Sequence, residues 1–372
     1  MPDMDLFASC LPGLEPLLEE EILRLGVPPR RLRGGVAFSG DLKTLFLAAL
    51  RLGTASHLLL RCAEFHCRGL GELERKASKI PWARWLDPRL PRRVRAASAK
   101  SRLYHTGAIA ERVARAVGSS IGDPGESESC IDIAVRFRDD RCTISIDTAT
   151  SPLHRRGYRL ETAKAPLRED LAHALLLAAG WKPGVPLLDP FCGSGTIAIE
   201  AAGLAEGLAP GRLRPRPLEG SILFDERLWR EALAESTGPP TPGPIAAADR
   251  DAGAIKAARG NAERALVLHR IEFACCPFTS HPWLASEAPD GAVVVTNPPF
   301  GRRVRGGDLR HLHQSLGHRT RRAGIPLSLL SAEPRLARST GVDLAVAFQT
   351  HHGGIRMAAM VPRGGKAVEA AG

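Results

Sequence analysis

The sequence predicts a mixed α/β protein, with an open α/β sheet in the C-terminal half behind a smaller α+β region. Three observations predict it. Residues 187–200, LLDPFCGSGTIAIE, pass from an apolar run through Asp189 and the turn-prone Gly193-Ser194-Gly195 into an Ala/Ile-rich stretch. That is strand, tight glycine turn and helix. Further on, the apolar run 292–296, AVVVT, stops abruptly at Asn297-Pro298-Pro299-Phe300. The prolines forbid both helix and central strand, so a rigid loop sits at a strand end. In the first half, short apolar strands alternate with amphipathic helices, which reads as α+β.

The 372 residues leave room for two or three domains, each with a core. An apolar share of 44% is that of a soluble globular chain. No apolar run reaches the roughly 18–20 residues of a membrane span. The opening MPDMDLFASC lacks a basic n-region and a long apolar h-region, so no signal peptide is read and the cytoplasm is the expected location. A formal charge of +11 favours a polyanionic partner. The eight cysteines are scattered, as buried cytosolic thiols are. Cys62, His66 and Cys67 cluster and Cys275-Cys276 are adjacent, but neither group has the paired halves of a zinc site, so no metal is expected.

In chain order, 5–10 is a short apolar stretch. Pro12-Gly13 open a helix with Leu14, Leu17, Leu18, Ile22 and Leu25 on its apolar face, and Gly26 ends it. A strand follows at 35–39. Asp41 caps a helix over 42–52, and 55–62 is the next apolar run. The segment after it is more basic: Arg89, Arg92, Arg93, Arg95, Lys100 and Arg102 surround 94–98. Ser101 opens a helix that buries Ile109, Val113, Ala116 and Val117. Strands at 131–137 and 142–147 flank Asp139-Asp140. This half is either a plain solvated basic face or a platform for a nucleic-acid backbone.

Residues 151–159, SPLHRRGYR, read as a connection between domains, in which His154, Arg155, Arg156 and Arg159 are candidates for contact with a nucleic-acid backbone. A helix over 171–179 ends at Gly180 and precedes the glycine-turn strand. A Gly/Pro/Arg-rich insert covers about 203–244, with an amphipathic patch at 224–234. The strand 245–249 ends in Asp249, Asp251 caps the next helix, and 271–274 is a third strand. Arg302, Arg303, Arg305, Arg310, Arg319, Arg321 and Arg322 form the densest cationic run. Strands at 327–331, 345–349 and 356–361 close the chain, the last two joined at Gly353-Gly354.

The glycine turn suits three ligands. A P-loop needs Lys and Ser/Thr after its last glycine, and Thr196-Ile197 stand there instead. Gly193-x-Gly195-x-x-Ala198 fits a dinucleotide turn loosely, and S-adenosylmethionine needs the same close backbone approach. The Asn-Pro-Pro-Phe loop decides among them. An Asn side-chain oxygen and a Pro carbonyl can accept both hydrogens of an NH₂ group, and Phe300 can stack on the attached ring. Those groups position an amine whose lone pair is delocalised, and no strong base is required.

DPFCGSGT followed by NPPF resembles the class I, S-adenosylmethionine-dependent N-methyltransferases. DLFASCLPGLEPLLEEEI near the start and HHGGIRMAAMVP near the end resemble the THUMP-domain RNA methyltransferases that make N2-methylguanosine in 23S rRNA and tRNA. The resemblance implies an α/β fold with a Rossmann-like class I methyltransferase domain behind a ferredoxin-like and THUMP RNA-binding region. It implies a ferredoxin-like segment at 1–55, a THUMP-like domain at 56–151, a linker at 152–164 and the methyltransferase domain at 165–372.

By the same resemblance, Asn297, Pro298, Pro299 and Phe300 are catalytic. Asp189, Pro190, Phe191, Gly193, Gly195 and Asp249 hold S-adenosylmethionine. Arg92, Arg93, Arg95, Lys100, Arg155, Arg156, Arg302, Arg303 and Arg305 contact RNA. The expected reaction is methylation of guanosine N2, with 23S rRNA favoured over tRNA. DNA adenine N6, a protein glutamine amide, or an RNA-binding relative without catalysis are the alternatives. The chain departs from the family in two places. Asp170 stands where Thr or Asn is usual and is read as a helix N-cap turned away from the cofactor. Pro277 stands where an Asp usually contacts adenine, so backbone atoms or Phe278 would have to substitute.

Overall fold

The computed structural model describes residues 3–122, 130–149, 151–160, 167–219, 221–300 and 309–364. Two seven-stranded sheets organise it.

The N-terminal half runs β1 (Met4–Cys10), α1 (Glu15–Leu23), β2 (Arg30–Leu32), β3 (Gly35–Gly40), α2 (Leu42–Arg51), β4 (Ala55–His66), α3 (Leu70–Ala77), β5 (Arg92–Ala99), α4 (Thr106–Ile121), β6 (Ile131–Arg138) and β7 (Arg141–Asp147). Its strands lie in the order β2-β3-β1-β4-β7-β6-β5. Only the β5–β6 pair is parallel. β4 pairs with β1 on one edge and β7 on the other, so a single sheet crosses the whole half. Asp41 caps α2, its carboxylate accepting from the Thr44 N–H at 2.8 Å. α4 begins at Thr106, after His105, so Ser101 does not open it as the sequence reading expects. Ser101 is held in the preceding loop, its hydroxyl donating to Ala99 O.

The second half runs α5 (Glu169–Ala178), β8 (Leu187–Asp189), α6 (Thr196–Ala205), α7 (Glu226–Glu235), β9 (Ile245–Asp249), α8 (Ala252–Arg264), β10 (Ile271–Cys275), β11 (Val293–Thr296), α9 (Leu309–Arg322), β12 (Leu327–Ser331), α10 (Pro334–Ser339), β13 (Leu344–His352) and β14 (Ile355–Pro362). The order is β10-β9-β8-β11-β12-β14-β13. The five strands from β10 to β12 are parallel, and the β13–β14 hairpin is added antiparallel. Helices cover both faces of a parallel sheet, which is why its inner strands are apolar without alternation. β8 enters first and lies centrally, with β9 on one side and β11 on the other. The crevice of such a sheet opens at the strand C-termini where the order reverses, here between β8 and β11.

The two halves share one apolar core, which runs from Leu6 through Leu187 to Met357. The insert helps to build it. Phe46 on α2 packs edge-on to Trp229 of α7, with ring centroids 5.6 Å apart. Gly211 N–H donates to Leu50 O at 2.8 Å, and the buried Arg214 donates to Ala49 O at 2.7 Å. Leu218 N–H reaches Thr148 O. Among the described residues no helix is long and apolar enough to cross a membrane.

Candidate active site at the β8–β11 crevice

Asp189 ends β8 and is 1% exposed. Its Oδ1 accepts from the Thr296 hydroxyl at 2.6 Å and from the Phe191 N–H at 3.2 Å. The first bond ties the end of β8 to the residue before Asn297. Asp189 has no ion-pair partner among the described residues. Burial, with Asp249 adding repulsion, pushes its pKa up to about 7 against two hydrogen bonds that lower it.

The turn beyond Asp189 needs its glycines for different reasons. Gly195 has φ +84° and precedes α6; a Cβ there would stand 3.0 Å from the Cβ of Ala258 on α8. It therefore permits close packing between α6 and α8. Gly193 has φ +52°, and a Cβ there would meet open space, so its backbone is left accessible. Asp249 at the end of β9 binds the turn in place: Oδ2 accepts from Gly193 N–H and Oδ1 from Asp251 N–H, both at 3.0 Å. A carboxylate keeps further lone pairs after two such bonds. Pro190 is buried, and the half-buried Phe191 packs on Phe278 with centroids 5.0 Å apart and planes tilted by 45°.

Across the crevice, β11 ends at the fully buried Thr296. Asn297 follows, and its Oδ1 is buried with no hydrogen-bond partner among the described residues. A buried amide oxygen left unpaired costs about 1–3 kcal/mol, so it marks a place where a donor is expected. Pro298 is buried, and Pro299 and Phe300 are half-buried. The structure thus brings Asp189, Pro190, Phe191, Gly193, Gly195, Asp249 and the Asn297 loop to one end of one sheet.

The cationic residues divide. Lys100 and Arg155 are exposed. Arg92 donates to Gly122 O at 2.6 Å. Arg93 forms a bidentate pair with Asp132 at 2.6 and 2.9 Å, and Arg95 stands 3.4 Å from the same carboxylate. Arg95, Arg136, His57 and Asp147 line a groove of about 270 Å³ on the open face of the N-terminal sheet. Arg302, Arg303 and Arg305 lie outside the described residues.

Arg156 corrects the sequence reading. It is 1% exposed and cannot reach RNA. Its guanidinium donates to both Glu200 oxygens at 3.2 Å, to Leu153 O and to Gly53 O. Glu200 lies on α6 and Gly53 in the N-terminal half, so Arg156 is a bolt between them. Arg159 is likewise turned inward, donating to Leu167 O and to Thr196 Oγ1. Asp170 is not a helix cap. It lies in the first turn of α5, fully buried, held by Arg168 and by Ser56 Oγ at 3.2 Å. Nor did sequence reasoning find Thr296 as the partner of Asp189, or the buried set of Glu21, His173 and Glu200. One signal for the latter was present: Glu200 is the lone charge in TIAIEAAGLA.

Comparison with known proteins places this architecture. Residues 5–59 match a ferredoxin-like domain described from RlmL, 67–147 match the THUMP domain, and 156–339 match the RMKL-like methyltransferase domain. The chain is 32% identical over 370 residues to the ribosomal RNA large subunit methyltransferase K/L of Syntrophotalea carbinolica, covering 94% of this chain and 52% of that protein. It therefore spans about half the length of that curated relative. A possible methylase from Clostridium difficile 630 superposes with TM-score 0.89 at 29% identity, over 97% of this chain and 98% of the other. A predicted N6-adenine-specific DNA methylase from Listeria monocytogenes superposes with TM-score 0.86 at 28% identity, over 98% and 97%. With three matched segments in this order and a methyltransferase strand order behind them, the chain belongs to the THUMP-domain methyltransferases.

Proposed function

We propose that this protein transfers a methyl group from S-adenosylmethionine to the exocyclic N2 of a guanosine in RNA, with 23S rRNA as the favoured substrate. In this reading residues 1–55 and 56–151 hold RNA, 152–164 connect, and 165–372 carry the chemistry. The THUMP match, the +11 charge and the named activity of the Syntrophotalea relative support RNA as the acceptor.

The observation that carries the reading is the Asn297 Oδ1, buried without a hydrogen-bond partner among the described residues, at the strand end next to the glycine turn. The residues fit the cofactor. Gly193 leaves room for a close approach, and Asp249 keeps lone pairs for ribose hydroxyls. Asp189 is a buried acid with no cation paired to it among the described residues. When bound, the cofactor supplies a methyl on cationic sulfur, and transfer leaves a neutral thioether. Asn297 Oδ1 and the Pro298 carbonyl accept the two amine hydrogens, which pulls the nitrogen toward tetrahedral geometry and aims its lone pair. Phe300 stacks on the base. The surplus amine proton leaves through these acceptors to water. Pro277 offers no carboxylate for adenine; the Phe191–Phe278 pair offers ring faces in its place.

The test is methyl transfer from tritiated cofactor into separate rRNA, tRNA, DNA and protein pools. Label is expected in rRNA as N2-methylguanosine. Asn297→Ala should bind cofactor normally in calorimetry and lose about a hundredfold or more in transfer, the scale of losing one preorganised hydrogen-bonding group. Full turnover by that variant would remove the assignment. Label in DNA adenine would replace it with the activity named for the Listeria neighbour, since adenine N6 is also an exocyclic amine.

A further inference from the structure

The arginines of the N-terminal half are mostly spent on its own acids. Arg93 and Arg95 share Asp132, Arg112 bonds Glu74, Arg141 bonds Glu64 and Arg68 bonds Asp140. The loop between β5 and α4 differs. Lys100 and Arg102 are exposed and form no ion pair among the described residues. Tyr104 in the same loop is 68% exposed, the sole aromatic among the exposed large apolar side chains of the described residues. Its ring lies on that of His105, with centroids 4.1 Å apart.

The loop is firmly held. Arg102 N–H donates to Asp140 Oδ1 at 2.7 Å, Asp140 N–H to Ser101 Oγ at 3.0 Å, and Ser98 Oγ to Leu103 O at 2.6 Å. An exposed ring on a fixed backbone loses little conformational freedom when something covers it. The two cations beside it call for an anion at the same place. A flat ring and phosphate charge come together in a nucleotide whose base is unpaired.

We propose that residues 100–105 grip single-stranded RNA, with Tyr104 stacked on an unpaired base and Lys100 and Arg102 on adjacent phosphates. The proposal rests on the RNA reading above. It moves the main RNA contact from the acid-paired arginines of β5 to this loop.

The experiment uses the full chain and a labelled 12-nucleotide RNA, single-stranded and as its duplex, in fluorescence anisotropy across a salt series. Tyr104→Ala should weaken single-strand binding roughly 5- to 150-fold, the range for one stacked base. It should leave the salt slope unchanged. Tyr104→Phe, which keeps the ring, should bind within about twofold of wild type. Lys100→Ala/Arg102→Ala should reduce the salt slope by about 1.4, for two phosphates on a single strand. Cofactor calorimetry on each variant checks folding. Wild-type affinity in Tyr104→Ala, equal losses in the Ala and Phe variants, or equal weakening on duplex would each overturn the proposal. If wild type neither binds nor methylates RNA, the RNA reading falls as well. If wild type does both and Tyr104→Ala matches it, only the loop assignment falls.

Discussion

Asp189 and Glu200 are both buried carboxylates, one on each side of the glycine turn, and the fold treats them in opposite ways. Glu200 accepts two N–H groups from Arg156 and the Tyr158 hydroxyl, and stands 3.3 Å from His173 Nδ1. Burial would raise its pKa, but Arg156 and His173 overcome that and hold it down to about 2. His173 in turn lies between Glu200 and Glu21, whose hydrogen bonds and charge raise its pKa against burial. Asp189 has only a hydroxyl and an amide, and its pKa rises to about 7. A compensated buried charge belongs to the architecture. An uncompensated one at the end of a crevice strand is where the proposed cationic cofactor would find its counter-charge.

Three measurements break or sharpen this contrast. The largest effect is expected from Glu200→Gln, which leaves the Arg156 guanidinium buried beside a neutral group. Loss of one partner from a buried pair costs about 3–5 kcal/mol, read from the denaturant midpoint. A loss under about 1 kcal/mol would show that the seam does not depend on this charge.

Next comes the pH dependence of stability. The folded-state pKa of Asp189 is raised, so the native state binds the extra proton and stability falls as pH rises from about 4 to about 7, by at most about 4 kcal/mol. The Glu200 pKa is depressed, so its contribution is present above about 4.3 and is lost as pH falls toward 2. Unfolding across pH should show both limbs. Asp189→Asn should flatten the limb between about 4 and 7, and Glu200→Gln the limb below about 4.3, while also weakening the support that Glu200 gives the protonated His173 toward neutral pH. Unchanged limbs would contradict the assignments.

The smallest effect is a fraction of a proton. At pH 6, cofactor binding should release up to about one proton as the sulfonium draws Asp189 into its ionised form. Calorimetry in buffers of different ionisation enthalpy measures it. S-adenosylhomocysteine, neutral at sulfur, should release less, and Asp189→Asn none. Equal release by both ligands would place the sulfonium away from Asp189.

The crevice was legible in the sequence because it is built from contiguous stretches. A glycine turn and a proline loop, each at a strand end, announce themselves locally, and parallel topology brings strand ends together. The seam was not legible. SPLHRRGYR reads as a wet basic linker until Gly53 and Glu200, far away in the chain, arrive to bury Arg156. The 203–244 insert reads as loop because Gly, Pro and Arg dominate it. Yet Gly211 is small because Leu50 presses on it: a Cβ there would stand 2.4 Å from Ala49 O. α3 was missed because only Leu73 and Ala77 of its eight residues are buried, too few to set a period.

The bolt at Arg156 and the strut at α7 tie the N-terminal half to the half that carries the crevice. Both ties work against any change in the span from the Tyr104 loop to Asn297, as a lock holds the jaws of a caliper. On the proposed reading, an RNA clasped at Tyr104 would offer Asn297 only those nucleotides that lie one such span away, and target choice would be a matter of measured length as much as of base identity.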